Sequence, residues 1–152
     1  MIVYRLSKTK YSADLSGKGA EKAGGRWNSK GVAMVYTSAS RALCTAEVSV
    51  HVPLGIVPVD YELVTIEIPD DSVTEADIKD LPHDWRSFPH PDSTQKLGDR
   101  FVHEGKFLVL KVPSVVVQGE YNFLINPRHE AAAKVRVVNT EPFLFDKRLF
   151  IK

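Results

Sequence analysis

The sequence predicts an α+β fold in a single compact domain that spans residues 1–152. Three observations support this prediction. A length of 152 residues and an apolar fraction of 43% suit one domain with its own core. Short apolar or alternating segments, typical of strands, are interspersed with segments of helical periodicity. These segments follow no regular βαβ order, and no repeat or linker divides them.

The first half of the chain predicts two strands, a long loop and a helix. "MIVYRLS" at the start and "VAMVYTS" at 32–38 are rich in β-branched and aromatic residues, which favour strands. Residues 11–31 are rich in Gly, Ser and Lys and predict a loop. "SRALCTAEVSVHV" predicts a helix that Ser38 or Ser40 caps and Pro53 ends. Its predicted apolar face consists of Ala42, Leu43, Ala46 and Val50.

The second half predicts further short strands and one longer helix. "YELVTIEIP" alternates as a strand does, and "DSVTEADIKDLP" after it has room for a short helix. The proline-rich residues 82–93 predict an ordered, irregular loop. "STQKLGDRFVHEG" predicts a helix with Gly105 as its C-cap. "KFLVLKVPSVVV" predicts one or two strands interrupted by Pro113, and "VRVVNTEPFLFD" predicts the last one or two.

Charge and composition argue against several classes of protein. The net charge is +1, so there is no broad electrostatic attraction to nucleic acid or to an anionic membrane. A single cysteine, Cys44, excludes an internal disulfide and suits a reducing compartment. The first ten residues lack the pattern of a secretory signal, and no apolar run approaches the length of a membrane span. The expected location is the cytoplasm, with neither a membrane nor nucleic acid as a direct partner.

The common motifs for metals, nucleophiles and phosphate loops are missing, so no metal site and no resident cofactor are predicted. There is no GxSxG, and "GKGAEKAGG" lacks the Lys-Ser/Thr pair of a Walker loop. Cys44 is expected to lie off the apolar face of its helix, either as a thiol nucleophile or as a small packed residue. No pair of histidines has the spacing of zinc ligands; they are His51, His83, His90, His103 and His129.

The segment "GGRWN" combines residue types that suit a nucleotide. Gly24 and Gly25 allow close approach of the backbone to a ligand, and Arg26 offers a planar fork for phosphate or carboxylate. Trp27 can stack or pack, and Asn28 can donate and accept hydrogen bonds. The alternative is a tight turn with a packed tryptophan and a surface arginine. The residues of this segment alone leave both interpretations open.

Five other polar residues stand within or beside apolar segments. Tyr36 interrupts a predicted strand, and Glu47 falls on the flank of the helical apolar stripe, where a carboxylate needs a partner. Ser114 separates two apolar runs, and both Asn122 and Asn126 stand in "GEYNFLINPRH", where Asn126 precedes a proline. Each has a structural alternative: a favoured strand residue, a salt bridge, or a turn.

Taken together, these segments resemble the RES domain family. The resemblance rests on "GGRWNSKG", "VYTSASRALCTAEV", "LPHDWRSFPHPDSTQKLGD", "VPSVVVQGEYNFLINPRH" and "FLFDKRLF", in order over nearly the whole chain. It implies a toxin of a type II toxin–antitoxin pair that depletes NAD and arrests growth. It also implies an ADP-ribosyltransferase-like fold, in which helices surround a mixed, split β-sheet with an NAD cleft.

The resemblance also implies roles for particular residues. The family's catalytic arginine, tyrosine, glutamate and serine correspond here to Arg26, Tyr36, Glu47 and Ser114. The residues implied to bind NAD are Arg5, Gly24, Gly25, Arg26, Tyr36 and Asn126. This pattern departs from that of ADP-ribosyltransferases, which have a histidine near the place of Arg26 and carry the catalytic glutamate on a strand. Glu47 is expected on a helix.

The implied reaction leaves the acceptor open. NAD is the substrate, and either water or inorganic phosphate receives the ADP-ribosyl group. The implied partner is an Xre-type helical antitoxin that blocks the NAD cleft. Three alternatives remain at this stage: transfer of ADP-ribose to a macromolecule, binding of a nucleotide without turnover, and an interaction protein with no nucleotide site.

Overall fold

A seven-stranded mixed sheet forms the centre of the protein, and three helices pack around it. The computed structural model describes all residues from 1 to 152. The strands are β1 (Ile2–Lys8), β2 (Val35–Ser38), β3 (Tyr61–Glu67), β4 (Val73–Glu75), β5 (Val109–Pro113), β6 (Tyr121–Ile125) and β7 (Arg136–Phe143). The helices are α1 (Lys18–Ala23), α2 (Arg41–Ser49) and α3 (Asp92–Glu104). The predicted single-domain α+β fold is confirmed.

The sheet is almost divided between β1 and β2. The strand order is β4-β5-β6-β2-β1-β3-β7, and only β4 and β5 run parallel to each other. β1 pairs with β3 along its whole length, whereas β1 and β2 share the single pair Tyr4 and Ser38. The sheet thus consists of two parts joined at one point, and α2 packs against both strands at that joint. This arrangement confirms the prediction of a mixed, split sheet.

The apolar face predicted for α2 is wrong in part: Leu43 is buried as predicted, whereas Ala42 and Val50 are exposed. Ser40 caps the helix as predicted, because its side chain accepts a hydrogen bond from the Leu43 backbone N–H at 3.0 Å. The helix ends at Ser49, before Pro53, so Val50 lies beyond it and is exposed. Leu43 and Cys44 are the buried residues of α2. Cys44 therefore packs in the core, contrary to the prediction that it lies off the apolar face. In a short helix with few large apolar residues, periodicity alone does not select the buried side.

Three elements differ from the sequence predictions. The loop predicted over 11–31 contains the short helix α1. The segment with room for a helix at 71–82 forms β4, with a short 3₁₀ turn on either side. β6 was not predicted at all, because Asn122 breaks the apolar pattern at its start, although it pairs with both β2 and β5. The helix over α3 is confirmed, with Gly105 in the left-handed conformation at its C-cap.

The helix α3 packs directly on the backbone of Trp27. A Cβ built on Gly98 would lie 1.6 Å from the carbonyl oxygen of Trp27, a distance that no packing can accommodate. Trp27 itself is 3% exposed and packs in a core cluster with Met34, Phe101 and Leu124. The glycine in mid-helix therefore permits the close approach that holds the Gly-Gly-Arg-Trp-Asn segment against the sheet.

We expect Gly98→Ala to lower the free energy of unfolding by about 3 kcal/mol, since the added methyl group forces α3 away from Trp27. Urea denaturation followed by circular dichroism measures the change. Gly19→Ala is the matched control, because Gly19 lies in helix α1 with open space around it. That substitution should be neutral or stabilising by up to about 1 kcal/mol. Equal stabilities of the two variants would contradict the described contact between α3 and Trp27.

Candidate active site

The Gly-Gly-Arg-Trp-Asn segment forms a tight turn that depends on its glycines. The Gly25 backbone N–H donates to the carbonyl of Asn28 at 2.9 Å, and Gly24 has a φ of 70°, which favours glycine. A Cβ on Gly25 would lie 2.7 Å from the hydroxyl oxygen of Tyr36. The close approach that Gly25 permits in this structure is therefore to another side chain of the same protein. Approach of a ligand to these glycines remains a prediction.

Asn28 and Tyr36 hold the turn in place. Asn28 is fully buried, and its Nδ2 donates to the carbonyls of Ala20 at 2.8 Å and Val32 at 3.0 Å. The Tyr36 hydroxyl donates to Oδ1 of Asn28 at 2.6 Å and accepts from the backbone N–H of Trp27 at 3.1 Å. Burial raises the pKa of Tyr36, so its phenol stays neutral over the physiological range. Tyr36 thus anchors the turn and has no role as a base.

Two residues of α3 that the sequence analysis did not single out also fix the turn. Gln95 Nε2 donates to the carbonyls of Gly25 at 3.0 Å and Asn28 at 3.2 Å. The Asp99 carboxylate accepts from the backbone N–H of Ser29 at 2.9 Å and from its hydroxyl at 2.6 Å. Gln95 and Asp99 are one helical turn apart, a spacing of polar residues that is common on any exposed helix. The sequence therefore contained no specific signal that these two residues bind the turn.

Arg26 leaves the turn on its open side and contacts the proline-rich loop. Its Nη1 donates to the carbonyls of Trp85 at 2.8 Å and Ser87 at 2.9 Å, while Nε and Nη2 have no hydrogen-bond partner in the chain. Burial lowers the pKa of Arg26, and the nearby negative charge of Glu47 opposes this shift. The guanidinium is therefore half-buried, fixed at one nitrogen, and free to bind an anion with the others.

Glu47 is held through one of its two carboxylate oxygens. Oε1 accepts from the hydroxyl of Ser114 at 2.7 Å and from Nδ2 of Asn122 at 2.7 Å. Oε2 accepts no hydrogen bond within the chain. Glu47 projects from α2, as predicted, and its partners come from the end of β5 and the start of β6. We call Arg26, Tyr36, Glu47, Ser114 and Asn122 together the Glu47 site.

The structure places Ser114 behind Glu47 instead of at the surface of the site. Ser114 is 2% exposed, and its hydroxyl accepts from the backbone N–H groups of Val116 at 3.1 Å and Val117 at 3.0 Å while it donates to Glu47. A hydroxyl has one proton and can donate one hydrogen bond, and here the acceptor of that bond is Glu47. The hypothesis that Ser114 bonds the ribose or the carboxamide of a ligand is therefore not favoured by this geometry. Ser114 orients the carboxylate.

Asn126 has no hydrogen bond to any residue of the Glu47 site. Its side chain donates to the carbonyl of Val102 at 3.3 Å and accepts from the backbone N–H of Arg128 at 3.0 Å. Asn126 is 1% exposed, and its role in NAD binding remains a prediction. It joins the end of β6 to α3. The asparagine that contacts Glu47 is Asn122, at the other end of the same strand.

Arg5 is anchored on β1 without contact to Arg26 or Glu47. Its Nη2 donates to the carbonyls of Tyr11 at 2.9 Å and Ser12 at 3.4 Å. Burial lowers the pKa of Arg5, and the negative charge of Asp14 opposes the shift. Its Nε–H is buried and has no partner in the chain, a state that an ordered water or a ligand oxygen relieves. A role of Arg5 in binding phosphate remains a prediction.

A separate groove of about 370 Å³ runs between β4 and α3, and it includes none of the predicted site residues. Its walls mix apolar side chains such as Leu97 and Phe101 with charged ones such as Glu75 and Arg100. We place the candidate active site at Glu47 instead, because there a cation and a carboxylate with unused hydrogen-bonding atoms lie near each other and both are held by hydrogen bonds to the fold.

The fold and the site define a small α+β protein with a split sheet, in which an arginine on a turn lies near a glutamate on a helix without pairing with it. The RES domain family matches residues 2–146, and the chain belongs to this family. The predicted membership is confirmed.

Named relatives and a solved structure agree with this assignment. A protein of Sphingobium sp. (strain YBL2) named "Prs ADP-ribosylating toxin" is 38% identical over 149 residues, covering 96% of this chain and 92% of that protein. A protein of Yersinia enterocolitica named "Toxin Res" is 38% identical, covering 98% of this chain and 99% of that protein. A chain in the crystal structure of the M. tuberculosis MbcT–MbcA toxin–antitoxin complex superposes with a TM-score of 0.77 at 19% identity, covering 98% of this chain and 86% of that one. This structural likeness establishes a shared fold.

In this chain, no helix is long and apolar enough to cross a membrane.

Cys44 is too well buried to act as a nucleophile. It is 5% exposed, and burial raises its pKa to about 12, with a smaller opposing effect of the Leu6 backbone. At pH 8 the thiolate, which is the reactive form, is therefore roughly one part in ten thousand of the folded protein.

We expect iodoacetamide at pH 8 to leave Cys44 unmodified in the folded protein, as measured by mass spectrometry. The same protein unfolded in urea is the control and should be alkylated at this residue. Rapid, complete alkylation of the folded protein would contradict the described burial of Cys44 and would support its interpretation as a thiol nucleophile.

Proposed function

We propose that this chain is the toxin of a toxin–antitoxin pair and that it cleaves NAD at the bond between nicotinamide and ribose. One observation carries the catalytic part. Arg26 and Glu47 lie close enough for the charge of Glu47 to affect the pKa of Arg26, which burial lowers. Yet none of the ion pairs in the chain joins them. Each keeps its charge available to a ligand that carries both signs.

NAD is such a ligand. Its nicotinamide is cationic, its pyrophosphate is anionic, and cleavage of the glycosidic bond builds positive charge on the ribose. The free Oε2 of Glu47 is suited to offset that charge or to accept from a ribose hydroxyl, as carboxylates do in glycosidases. The free Nε and Nη2 of Arg26 are suited to the phosphates. The contact of Glu47 with the developing charge is stronger in the transition state than in the ground state, whereas the contacts of Arg26 with the phosphates hold the substrate in position.

The other residues of the site have supporting roles in this proposal. Tyr36 presents its ring from a fixed position, since its hydroxyl is anchored by Asn28 and Trp27, and it can stack on the nicotinamide or its ribose. Ser114 and Asn122 set the direction of the Glu47 carboxylate. Arg5 would satisfy its buried Nε–H with a phosphate oxygen.

Two named relatives and one solved structure support the toxin assignment. Relatives 38% identical to this chain are named as toxins, and the structural neighbour was solved as a toxin–antitoxin complex. We infer that an Xre-type antitoxin covers the Glu47 site of this chain in the cytoplasm of its host. Co-purification with the product of the adjacent reading frame, followed by loss of NAD turnover in the complex, tests the inference. Full turnover in a stable complex would contradict the blocking role.

The direct test of the reaction is the release of nicotinamide from NAD by the purified chain. Chromatography separates nicotinamide from the second product, and reactions with and without inorganic phosphate identify the acceptor. ADP-ribose indicates water as the acceptor, and ADP-ribose 1″-phosphate indicates phosphate. No nicotinamide under either condition would refute the proposed cleavage.

We expect Glu47→Gln and Arg26→Ala each to lower kcat/KM for NAD by at least about a hundredfold, the usual loss when a group that stabilises developing charge is removed. Nicotinamide release measures activity, and thermal unfolding measures stability. Glu130→Gln and Arg148→Ala are matched controls, because both residues are exposed and lie outside the Glu47 site. A loss of activity that follows only from a loss of folded protein would assign both residues a structural role.

Transfer of ADP-ribose to a macromolecule is the second candidate function. It is favoured by the printed name of the Sphingobium relative, an ADP-ribosylating toxin, which shares 38% of its residues over nearly all of this chain. The same cleavage step would serve it, with a different acceptor. Incubation with NAD labelled in the adenylate moiety and with a cell lysate distinguishes the two, because label enters a macromolecule only in the transfer reaction.

A further inference from the structure

We propose that Asn122 and Ser38 are positioning residues for Glu47, a role that rests on the proposed NAD cleavage. Asn122 Nδ2 donates to Oε1 of Glu47 at 2.7 Å. The hydroxyl of Ser38 donates to Oδ1 of Asn122 at 2.8 Å. Ser38 and Asn122 are directly paired residues of β2 and β6, so the two strands set this chain of hydrogen bonds.

The direction of the chain is fixed by chemistry. An ionised carboxylate only accepts hydrogen bonds, so the amide of Asn122 must turn its NH₂ group towards Glu47 and its oxygen towards Ser38. A flipped amide would place its oxygen against Oε1 of Glu47. The Ser38 hydroxyl can donate or accept, so Glu47 selects the orientation of the amide and Ser38 secures it by donating to the amide oxygen. Ser38 is 4% exposed, which limits replacement of its hydroxyl by bulk water.

Two donors converge on the same oxygen of Glu47. Ser114 and Asn122 both donate to Oε1, and Oε2 has no partner in the chain. The carboxylate is therefore held through one oxygen, and the other oxygen remains free to accept a hydrogen bond from a ligand. This asymmetry orients the free oxygen in the absence of substrate, a condition for effective electrostatic catalysis.

Four elements contribute to the surroundings of Glu47. α2 carries Glu47 and Cys44, whose burial-raised pKa keeps it neutral. The turn contributes the cation Arg26, and the ends of β5 and β6 contribute the neutral Ser114 and Asn122. A second carboxylate in place of Asn122 would face Glu47 directly. Repulsion between two carboxylates at hydrogen-bond distance raises the pKa of one of them.

The test compares kcat, KM and the pH profile of NAD cleavage in three variants. Asn122→Ala should lower kcat by about ten- to a hundredfold with less than a threefold change in KM, because orientation is lost and the substrate-contacting groups remain. Ser38→Ala should cause a smaller fall in kcat. Asn122→Asp should move the acid limb of the kcat profile to higher pH by at least about one unit, a shift that a purely structural defect does not produce.

The matched control is Asn139→Asp. Asn139 also donates to a glutamate, Glu141, at 3.0 Å, but this pair is exposed on β7. The same substitution there should leave kcat and the pH profile unchanged. A folded Asn122→Ala variant with the kcat and pH profile of the unaltered protein would overturn the proposal.

Nuclear magnetic resonance of ¹⁵N-labelled protein separates failure of this inference from failure of the proposed function. The side-chain amide resonances of Asn122 should shift on Glu47→Ala and on Ser38→Ala, whether or not NAD is cleaved. If the unaltered protein releases no nicotinamide but these resonances shift, the proposed function fails and the positioning of Glu47 stands. If nicotinamide is released and the resonances do not respond, the positioning role fails.

Discussion

The joint between β1 and β2 is the constraint on which the rest of the structure depends. Because these strands share only the pair Tyr4 and Ser38, the sheet has a gap in its hydrogen bonding, and α2 packs over both strands there. Leu43 and Cys44 fill the core beneath the helix. The next helical turn then carries Glu47 above Ser38 and Asn122, within reach of both β5 and β6. The position of the carboxylate is thus a consequence of how the sheet divides.

The opposite side of the site depends on an equally tight contact. Gly98 lets α3 rest on the backbone of Trp27, and Gln95 and Asp99 on the same helix bind the turn that carries Arg26. Arg26 in turn binds the loop that follows β4 and its flanking turn, through the carbonyls of Trp85 and Ser87. Residues far apart in the sequence therefore fix one guanidinium. Such preorganisation requires no ligand and limits the entropy lost when one binds.

The sequence predicted most elements because their patterns are local. Alternation in β3, the Ser40 cap of α2 and the Gly105 cap of α3 each depend on a few neighbouring residues. β6 was not predicted because Asn122, a site residue, stands where the apolar pattern of a buried strand would require an apolar side chain. β4 escaped because a three-residue strand has no periodicity to detect, and its pairing with β5 is long-range.

The site was also predicted in part from the sequence. The predictions that failed concern the contacts of a residue, which depend on the tertiary structure and not on the residue type. Residue types identified Arg26 and Glu47 as candidates, and the structure brings both together with Tyr36 and Ser114. Asn122 and Asn126 have the same chemistry and differ by four positions. Only tertiary structure reveals that the first contacts Glu47 and the second joins β6 to α3. Likewise, Ser114 is visible in the sequence as a hydroxyl residue, but only the structure shows that its hydroxyl donates to Glu47.

The separation of Arg26 from Glu47 needs a physical explanation, since opposite charges in a half-buried site attract. At about 4 Å and an effective dielectric constant near 20, such a pair gains about 4 kcal/mol. Hydrogen bonds to a charged group contribute about 1.5–3 kcal/mol each, so the two donors on Oε1 together contribute about 3–6 kcal/mol. Anchoring and ion pairing are therefore of similar size, so a movement of the carboxylate that broke its hydrogen bonds to Ser114 and Asn122 to reach Arg26 would gain little. Arg26 is restrained in the same way by two backbone carbonyls. Two hydrogen bonds hold Arg26 and two hold Glu47, and the two side chains form no ion pair with each other. Both charges therefore remain available to a dipolar substrate.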